Sequence, residues 1–568
     1  MKLKVKSPKY VGLFRLVVSI VALAMLGIIS NVYYFRIDLT SDKRYTLNQL
    51  TKDILKDLKG SLYVKVYLDG DLPVGFTKME KSLSETLDEF KVIANDKVQV
   101  EFVNPYLVAK GKKQEAFFKR LYDKGLQPTN VQVRDDDGGQ TQRVIFPGAL
   151  ISYLGKETAV NLLHNDPSLS GDENIGLSIQ NFEFNLVDAI YKLTQDSLPR
   201  VAFLQGHGEY DQFQTGDIER ELSQYFNVDR VAINGNVGAL NSYKVIIVAG
   251  PTKPFPETDK IAIDQYVMQG GRMLWFVDPV SVSIDSLSAG EATLAFVKEI
   301  NLDDMLFHYG ARLNPLLLQD VQCSVIPVNM AIAGQQPKFV PAPWVYYPLL
   351  SPPSNNPITR NLNLIQSKFV SPIDTVGANY EVKKRFLLHT SDYTKELQVP
   401  LLVDLSQVNR SPNQYEFNSS HLPVAVELSG NFTSVFRHRS LQGYNHGQPF
   451  NFVDKSVFTK QIVVADADII RNEVQHRPNG AYIIPLGYDR FTGQTYGNKN
   501  FVMNMVKYLG DEEGLINLRS REYKLRMLNR KLVAASRLKW QLVNILFPSL
   551  ILILGGILWF VIRKRLYS

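Results

Sequence analysis

The sequence holds a single cysteine, Cys323, in 568 residues. That excludes an internal disulfide, a cysteine-based zinc cluster and a CxxC redox pair. With no cysteine near the N-terminus, a lipobox is excluded too. A P-loop is also missing. The nearest approach, GALISYLGKET from Gly148 to Thr158, separates its glycines by six residues instead of four. It also puts Glu157 where a Ser or Thr would reach Mg²⁺. None of the eight histidines belongs to an HxH or HExxH pair, so no zinc motif is present. Acidic residues are slightly short, 56 against 63 Lys plus Arg, for a net charge of +7. Long apolar runs are few, and both lie near the chain ends.

The later run, Leu542 to Ile562 (LVNILFPSLILILGGILWFVI), carries no charge and is followed at once by Arg563, Lys564 and Arg565. About 20 apolar residues in a helix cross a bilayer core. Pro548, Gly555 and Gly556 would weaken a soluble helix, but spanning helices tolerate them. A core helix of a soluble protein is seldom apolar all round for so long. The earlier run, Val11 to Phe35, follows a lead with four lysines and no acid. Arg15 can snorkel at one interface, and Tyr33, Tyr34 and Phe35 suit the aromatic belt at the other. Ala22-Leu23-Ala24 resembles a signal-peptide cleavage site, but the apolar run continues through Ile29 where such a region turns polar. An uncleaved anchor is the better reading. Basic residues flanking hydrophobic spans speak for membrane orientation, not nucleic-acid binding. Both ends are expected on the cytoplasmic side, with the residues between the spans across the membrane.

The chain as a whole is 45% hydrophobic and 21% charged, as in folded domains. Two α/β domains are expected, 36–195 and 196–510, between a tail (1–10) with its span (11–35) and a closing series. That series is a basic juxtamembrane helix (511–541), a span (542–562) and a tail (563–568). In the first domain, Thr46 and Gln49 have capping-box spacing. Helices are expected over Phe76 to Ala94, Gln114 to Lys124 and a face running from Ile179 to Leu193. Strands are expected at SLYVKVYL, VQVEFVNP, Thr129 to Val133 and Arg143 to Leu154.

In the second domain, RVAFLQ, VDRVAI, KVIIVAG and GGRMLWFVDP read as strands, with helices before Phe226 and over Glu257 to Gln269. That β-α-β-β-α-β order predicts a doubly wound, mostly parallel sheet, whose ligands sit beyond the carboxyl ends of its strands. Gly206, His207, Gly208, Glu209, Gly250-Pro251 and Asp278 would gather there. Four readings of this crevice compete. Gly206-x-Gly208 with Asp229 begins like a dinucleotide fingerprint, but the third glycine is missing. The element order resembles glutamine-amidotransferase-like sheets, but no cysteine nucleophile follows KVIIVAG. His207 and Glu209 are too few to hold a metal. The favoured reading is a tight glycine turn in which His207 bonds neighbouring main chain. Downstream, Trp344, Tyr346 and Tyr347 form either a partner-binding patch or packing beneath a long loop. Asp466 and Asp468 lack the six or more oxygens that Ca²⁺ needs. Further strands are expected at Arg385 to His389, Val424 to Leu428 and Gln461 to Ala465, with a closing helix in GNKNFVMNMVKYL.

Several stretches are specific in wording and order: RIDLTSDKRYTL, FLQGHGEYD, SPPSNNPITRNL, ADADIIRN, PLGYDRFTGQTYGNKNF and INLRSREYK. Through them the chain resembles, over almost its full length, the GldG family of gliding-motility-associated, substrate-binding-like ABC-transporter auxiliary proteins of Bacteroidetes. The resemblance implies an inner-membrane protein with a large periplasmic region. It further implies partnership with an ABC-type permease and ATPase and with other gliding-machinery proteins. It brings no catalytic residue, cofactor or metal. Gly514 to Gln541, with eight Lys or Arg and one Glu, is then either a solvated stalk or a contact helix. In the second case Arg526, Arg530 and Lys531 would meet lipid headgroups or the permease. The expected function is that of a non-enzymatic accessory subunit. The alternative is a membrane-tethered periplasmic ligand-binding protein or hydrolase using the crevice around His207 and Glu209.

Overall fold

The computed structural model describes Phe14, residues 16–25, residues 46–520 except 109–110, 135–139, 165–168, 196, 289–291, 330–335, 337, 378–380, 410–412, 448, 479 and 512–513, and residues 536–567. The chain divides into two compact units, Met1–Arg521 and Glu522–Ser568. The larger is a mixed α/β body with two principal sheets.

The first sheet begins after helix α1 (Gln49–Lys56). The N-cap is Asn48, whose side chain accepts from the Leu50 amide, so a single Asn cap two residues further on stands in place of the capping box expected at Thr46 and Gln49. Strand β1 (Leu62–Val66) alternates buried and exposed, as a strand with one wet face must. Helix α2 (Val74–Ile93) buries Met79, Leu83, Leu87 and Phe90, one stripe at helical spacing. Strand β2 (Val98–Phe102) pairs parallel with β1. Helix α3 (Lys112–Asp123) follows, then a hairpin of β3 (Thr129–Arg134) and β4 (Gln140–Ile145). The strand expected from Arg143 to Leu154 is therefore two. Phe146 and Pro147 interrupt it before β5 (Gly148–Tyr153), because proline has no amide to donate. With β6 (Lys156–Asn161) the sheet order is β2-β1-β5-β6.

The single helical face expected from Ile179 to Leu193 is likewise divided. Helix α4 (Gly171–Gln180) ends at Asn181 and α5 (Phe182–Thr194) begins there. Helix α4 starts at a true capping box that the sequence reading passed over: Ser170 accepts from the Glu173 amide while the Glu173 carboxylate accepts from the Ser170 amide.

The second sheet is the larger. Its strands are β7 (Arg200–Gln205), β8 (Asn227–Ala232), β9 (Val245–Ala249) and β10 (Arg272–Phe276), with helices α6 (Gly216–Leu222) and α7 (Glu257–Met268) between them. Further along come β11 (Cys323–Asn329), β12 (Phe339–Leu350) and the short β13 (Ile365–Gln366), which form a separate sheet in that order. The chain then returns to the large sheet with β14 (Val382–His389), β15 (Pro423–Gly430) and β16 (Thr459–Val464). Its order is β14-β15-β16-β10-β9-β7-β8. The run from β16 to β8 is all parallel, and β15 and β14 extend it antiparallel. A hairpin of β17 (Val474–Arg477) and β18 (Gly480–Ile483) and helix α8 (Asn498–Gly510) close the body.

Both faces of the parallel strands are covered, which explains their continuous apolar sequences. Val201 and Phe203 face one core with Ile218 of α6 and Phe501 and Val506 of α8. Ala202 and Leu204 face the other with Ile261 and Val267 of α7. The first sheet has its own core, from Leu47 to Leu193, which Leu515 and Leu518 also enter. Ile516, between them, enters the core on the α8 side of the large sheet.

The second unit contains helix α9 (Arg537–Tyr567). Its segment Lys539–Arg565 spans 27 residues and is long and apolar enough to cross a membrane. At ~1.5 Å per residue that is about 40 Å. The apolar helix Leu16–Met25 is shorter than a span. The rest of the expected span at 11–35, the tail at 1–10, and Arg526, Arg530 and Lys531 lie outside the described residues.

Candidate functional site

In the order β8-β7-β9-β10-β16 the winding reverses between β7 and β9, and that switch point opens a crevice beyond the strand ends. The loop after β7 is stitched to the loop after β9. The amides of Thr252 and Lys253 donate to the His207 carbonyl at 2.9 and 2.8 Å. The Thr252 hydroxyl donates to the Gly208 carbonyl at 3.1 Å. Gly208 has φ +75°, and a Cβ there would fall 2.1 Å from Thr252 Oγ1, so only glycine fits.

The imidazole of His207 is buried. It stacks on Phe255 with ring centroids 3.7 Å apart. Nδ1 lies 3.0 Å from Glu209 Oε1 and Nε2 lies 2.9 Å from Asp259 Oδ2. The other oxygens of these carboxylates accept from the amides of His207 and Gly235, both at 2.7 Å. Burial works against a charged ring, but the hydrogen bonds it donates to Asp259 and Glu209 outweigh it and lift the His207 pKa to about 9. The ring is therefore an imidazolium donating both N–H groups. It has no lone pair to hold a metal or to accept a proton. The expected bond from His207 to neighbouring main chain is replaced by this two-carboxylate clamp. Asp259, on the first turn of α7, was not foreseen because it lies 52 positions from His207.

Asp278 follows β10 and accepts from the Ala467 amide at 2.6 Å, with Lys298 Nζ at 3.3 Å. Burial raises its pKa, and Lys298 opposes that rise. Asp466 follows β16 and is fully buried, accepting from the amides of Lys368 and Asp468 at 2.9 and 2.8 Å. Burial, with Asp468 and Asp278 nearby, pushes its pKa well above the ordinary carboxylate range. Asp468 pairs with Arg471 at 3.3 Å, and the Arg471 guanidinium lies 5.3 Å from the Tyr210 ring centroid. Asp466 thus holds a turn, and no set of oxygens for Ca²⁺ is built from this pair.

Beyond these turns lies a cleft of about 600 Å³. Its charged lining includes Lys368, Asp468, Arg471, Glu473 and Arg490. Its apolar walls include Phe213, Tyr347 and Phe491. Among the described residues, Gly206, His207, Gly208, Glu209 and Asp278 do not line it. Asp278 holds the Ala467 amide, at the start of the turn from which Asp468 and Arg471 enter the lining. Trp344 and Tyr346 are buried in a small core with Leu317 and Phe369, so packing accounts for both, and Trp344 also lines the cleft beside Tyr347. Arg471 and Glu473 were within reach of the sequence, since both stand in the stretch that follows a parallel strand end. Lys368 and Arg490 come from irregular connections with no local signal.

Residues 198–505, more than half of the chain, match a sequence family described as an ABC-type uncharacterized transport system. Residues 41–152 match a family described only as a domain of unknown function. No curated protein matches. Among solved structures, the chain is similar to the mmIFT52 N-terminal domain at 13% identity and a TM-score of 0.30, covering 55% of this chain and 97% of that one. It is also similar to the exo-beta-1,4-mannosidase Op5Man5 from Opitutaceae bacterium strain TAV5, at 10% identity and a TM-score of 0.20, covering 67% and 44%.

Proposed function

The chain belongs to the family of ABC-type uncharacterized transport systems, and from that membership we propose that it works as a non-enzymatic accessory subunit of an ABC-type transporter in the inner membrane. The observation that carries this reading is the family match, which runs from the start of β7 into α8 and so takes in the whole large sheet and its cleft. Two features support it. The sequence has no P-loop, so ATP hydrolysis belongs to another chain. Helix α9 provides a segment of membrane-crossing length. The finer reading is a subunit of gliding machinery of the GldG kind, with two spans, both ends cytoplasmic and the bulk periplasmic. The resemblance in wording of INLRSREYK, ADADIIRN and FLQGHGEYD supports it.

Cross-linking in intact membranes followed by mass spectrometry tests the proposal. Links from this chain to an ABC-type permease and its ATPase are expected. Recovery of the permease with no link to this chain would overturn it. Reversing Arg526, Arg530 and Lys531 to Glu is expected to weaken the interaction by about a hundredfold or more and so deplete co-purified permease, since three basic residues near a charged surface contribute about 3 kcal/mol at ~1 kcal/mol each. Undiminished co-purification would make that stretch a solvated stalk.

A further inference from the structure

We propose that the 600 Å³ cleft is a binding site for an extended peptide segment, taken up as an added strand along β11. The proposal rests on the accessory-subunit reading only for which protein carries the segment.

The shape of the walls is the first argument. Val325, Ile326 and Pro327 are consecutive in β11, and all three line the cleft. Successive side chains of a strand point to opposite faces, so a cavity that meets three in a row meets the strand's edge. The order β11-β12-β13 leaves β11 outermost among the described residues. Glu473 and Val474, at the start of β17, are also consecutive in the lining. An outermost strand offers backbone N–H and C=O groups to an extended chain, Pro327 offering its C=O alone, and peptides are commonly recognised in that way.

The second argument is the irregularity in β12. Cys323 pairs with Pro348 and Val325 with Pro343, so one residue of β11, Ser324, stands against Trp344 to Tyr347. Such bulges redirect side chains beside binding sites. This one buries Trp344 and Tyr346, with Trp344 and Tyr347 both reaching the cleft wall and Tyr347 set edge-on against Phe369 at 5.3 Å.

The charges are the third argument. Arg490 lies 3.6 Å from Glu473, Glu473 lies 3.5 Å from Lys368, and Asp468 lies 3.3 Å from Arg471. Three cations thus alternate with two carboxylates. Asp211 and Asp489 also line the cleft, but each is engaged in a turn, accepting from the amides of Phe213 and Phe491 respectively. A site for a phosphate-like anion would gather donors without interleaved acids. A site for an apolar ligand would not carry this array. With Asp211 and Asp489 counted, four carboxylates face three cations in the lining, so alternating charge beside aromatic rings suits a chain of amides carrying both basic and acidic side chains among apolar ones. Lys368 lies 5.6 Å from the Tyr347 ring and Arg490 4.9 Å from the Phe491 ring, so each cation already backs an aromatic wall. The volume falls in the ~300–1,000 Å³ range of ligand sites, enough for a few residues and too small for a folded partner.

The test uses the full chain in detergent, panned against a displayed library of random heptapeptides. Enriched sequences are synthesised and titrated by calorimetry. Selected peptides are expected to bind the wild-type protein and to lose about tenfold or more in affinity for Arg490→Glu and for Tyr347→Ser. Methylating alternate backbone amides of the peptide is expected to abolish binding, which loss of side-chain contacts alone would not explain. Circular dichroism and melting of both variants confirm that they are folded. Absence of enrichment, equal binding to both variants, or full binding by the methylated peptides would each overturn the proposal. None of these outcomes depends on whether the permease co-purifies.

Discussion

His207→Ala is expected to cost about 3–5 kcal/mol of stability at pH 7, because it leaves the carboxylates of Glu209 and Asp259 buried without their common cation. The clamp joins the loop after β7, the first turn of α7 and the Gly235 turn, so its loss should loosen three connections around the switch point. Replacing all three groups by neutral residues (His207→Leu, Glu209→Gln, Asp259→Asn) should recover much of the loss, since the expensive element is the uncompensated charge. The same clamp fixes a pH dependence. The folded protein holds the His207 proton up to about pH 9, while an ordinary histidine releases it near 6.5. Between those values the unfolded chain binds fewer protons, so stability falls as pH rises. Below about pH 6.5 the contribution is present in full, and across the window it declines by about 3 kcal/mol. Urea denaturation midpoints at pH 6, 7, 8 and 9 measure this. The wild type should show the slope and His207→Ala should not. A slope that persists in the variant would place the titration elsewhere.

That arrangement marks where the sequence was legible. The strands RVAFLQ, KVIIVAG and RMLWF could be read because strands buried on both faces are apolar throughout and short, whereas VDRVAI, at the sheet's edge, is only half-buried and carries Asp229 and Arg230. Helix α7 was found within one residue of its end at Met268. The grouping of loops beyond those strands follows from the doubly wound order alone. What could not be read is what the chain does at long separation. Strand β16 completes the parallel run only after β11 to β15 have intervened, and β14 and β15 then extend the sheet antiparallel. No local periodicity encodes such pairings. The same separation hid Asp259 from His207 and hid Lys368 and Arg490 from the stretch after β16. Local errors have a different origin. Thr46 and Gln49 have capping spacing, but Asn48, a stronger cap, stands between them.

The turn before the second unit carries the other large expected effect. Leu515 and Leu518 enter the core of the first sheet, and Ile516 enters the core of the large one. This short stretch, Leu515–Ser520, therefore draws on both layers just before the chain passes to the second unit. Nearby, Lys507 of α8 pairs with Asp188 of α5 at 2.9 Å, a second tie between the layers. Each leucine cut to alanine in a packed core costs about 2–5 kcal/mol, so the double variant Leu515→Ala, Leu518→Ala should release the turn while each sheet keeps its own remaining core. Hydrogen exchange should rise at Leu515–Ser520 and along α5, and stay unchanged in β7, β9 and β10. Arg519 supplies the contrast. It donates to the Arg360 carbonyl at 2.9 Å and lies 5.4 Å from the Phe184 ring, and burial pushes its pKa down to about 10. Arg519 is half-buried, with Asp188 only partly opposing that fall, so Arg519→Met should cost far less than the leucine pair. If the leucine pair is silent while Arg519→Met opens the turn, the segment is held by charge and not by packing. If the leucine pair behaves as expected, the cores of the two sheets are tied at this turn through three apolar side chains. Cross-links to the permease should then persist in the double variant while transport activity falls.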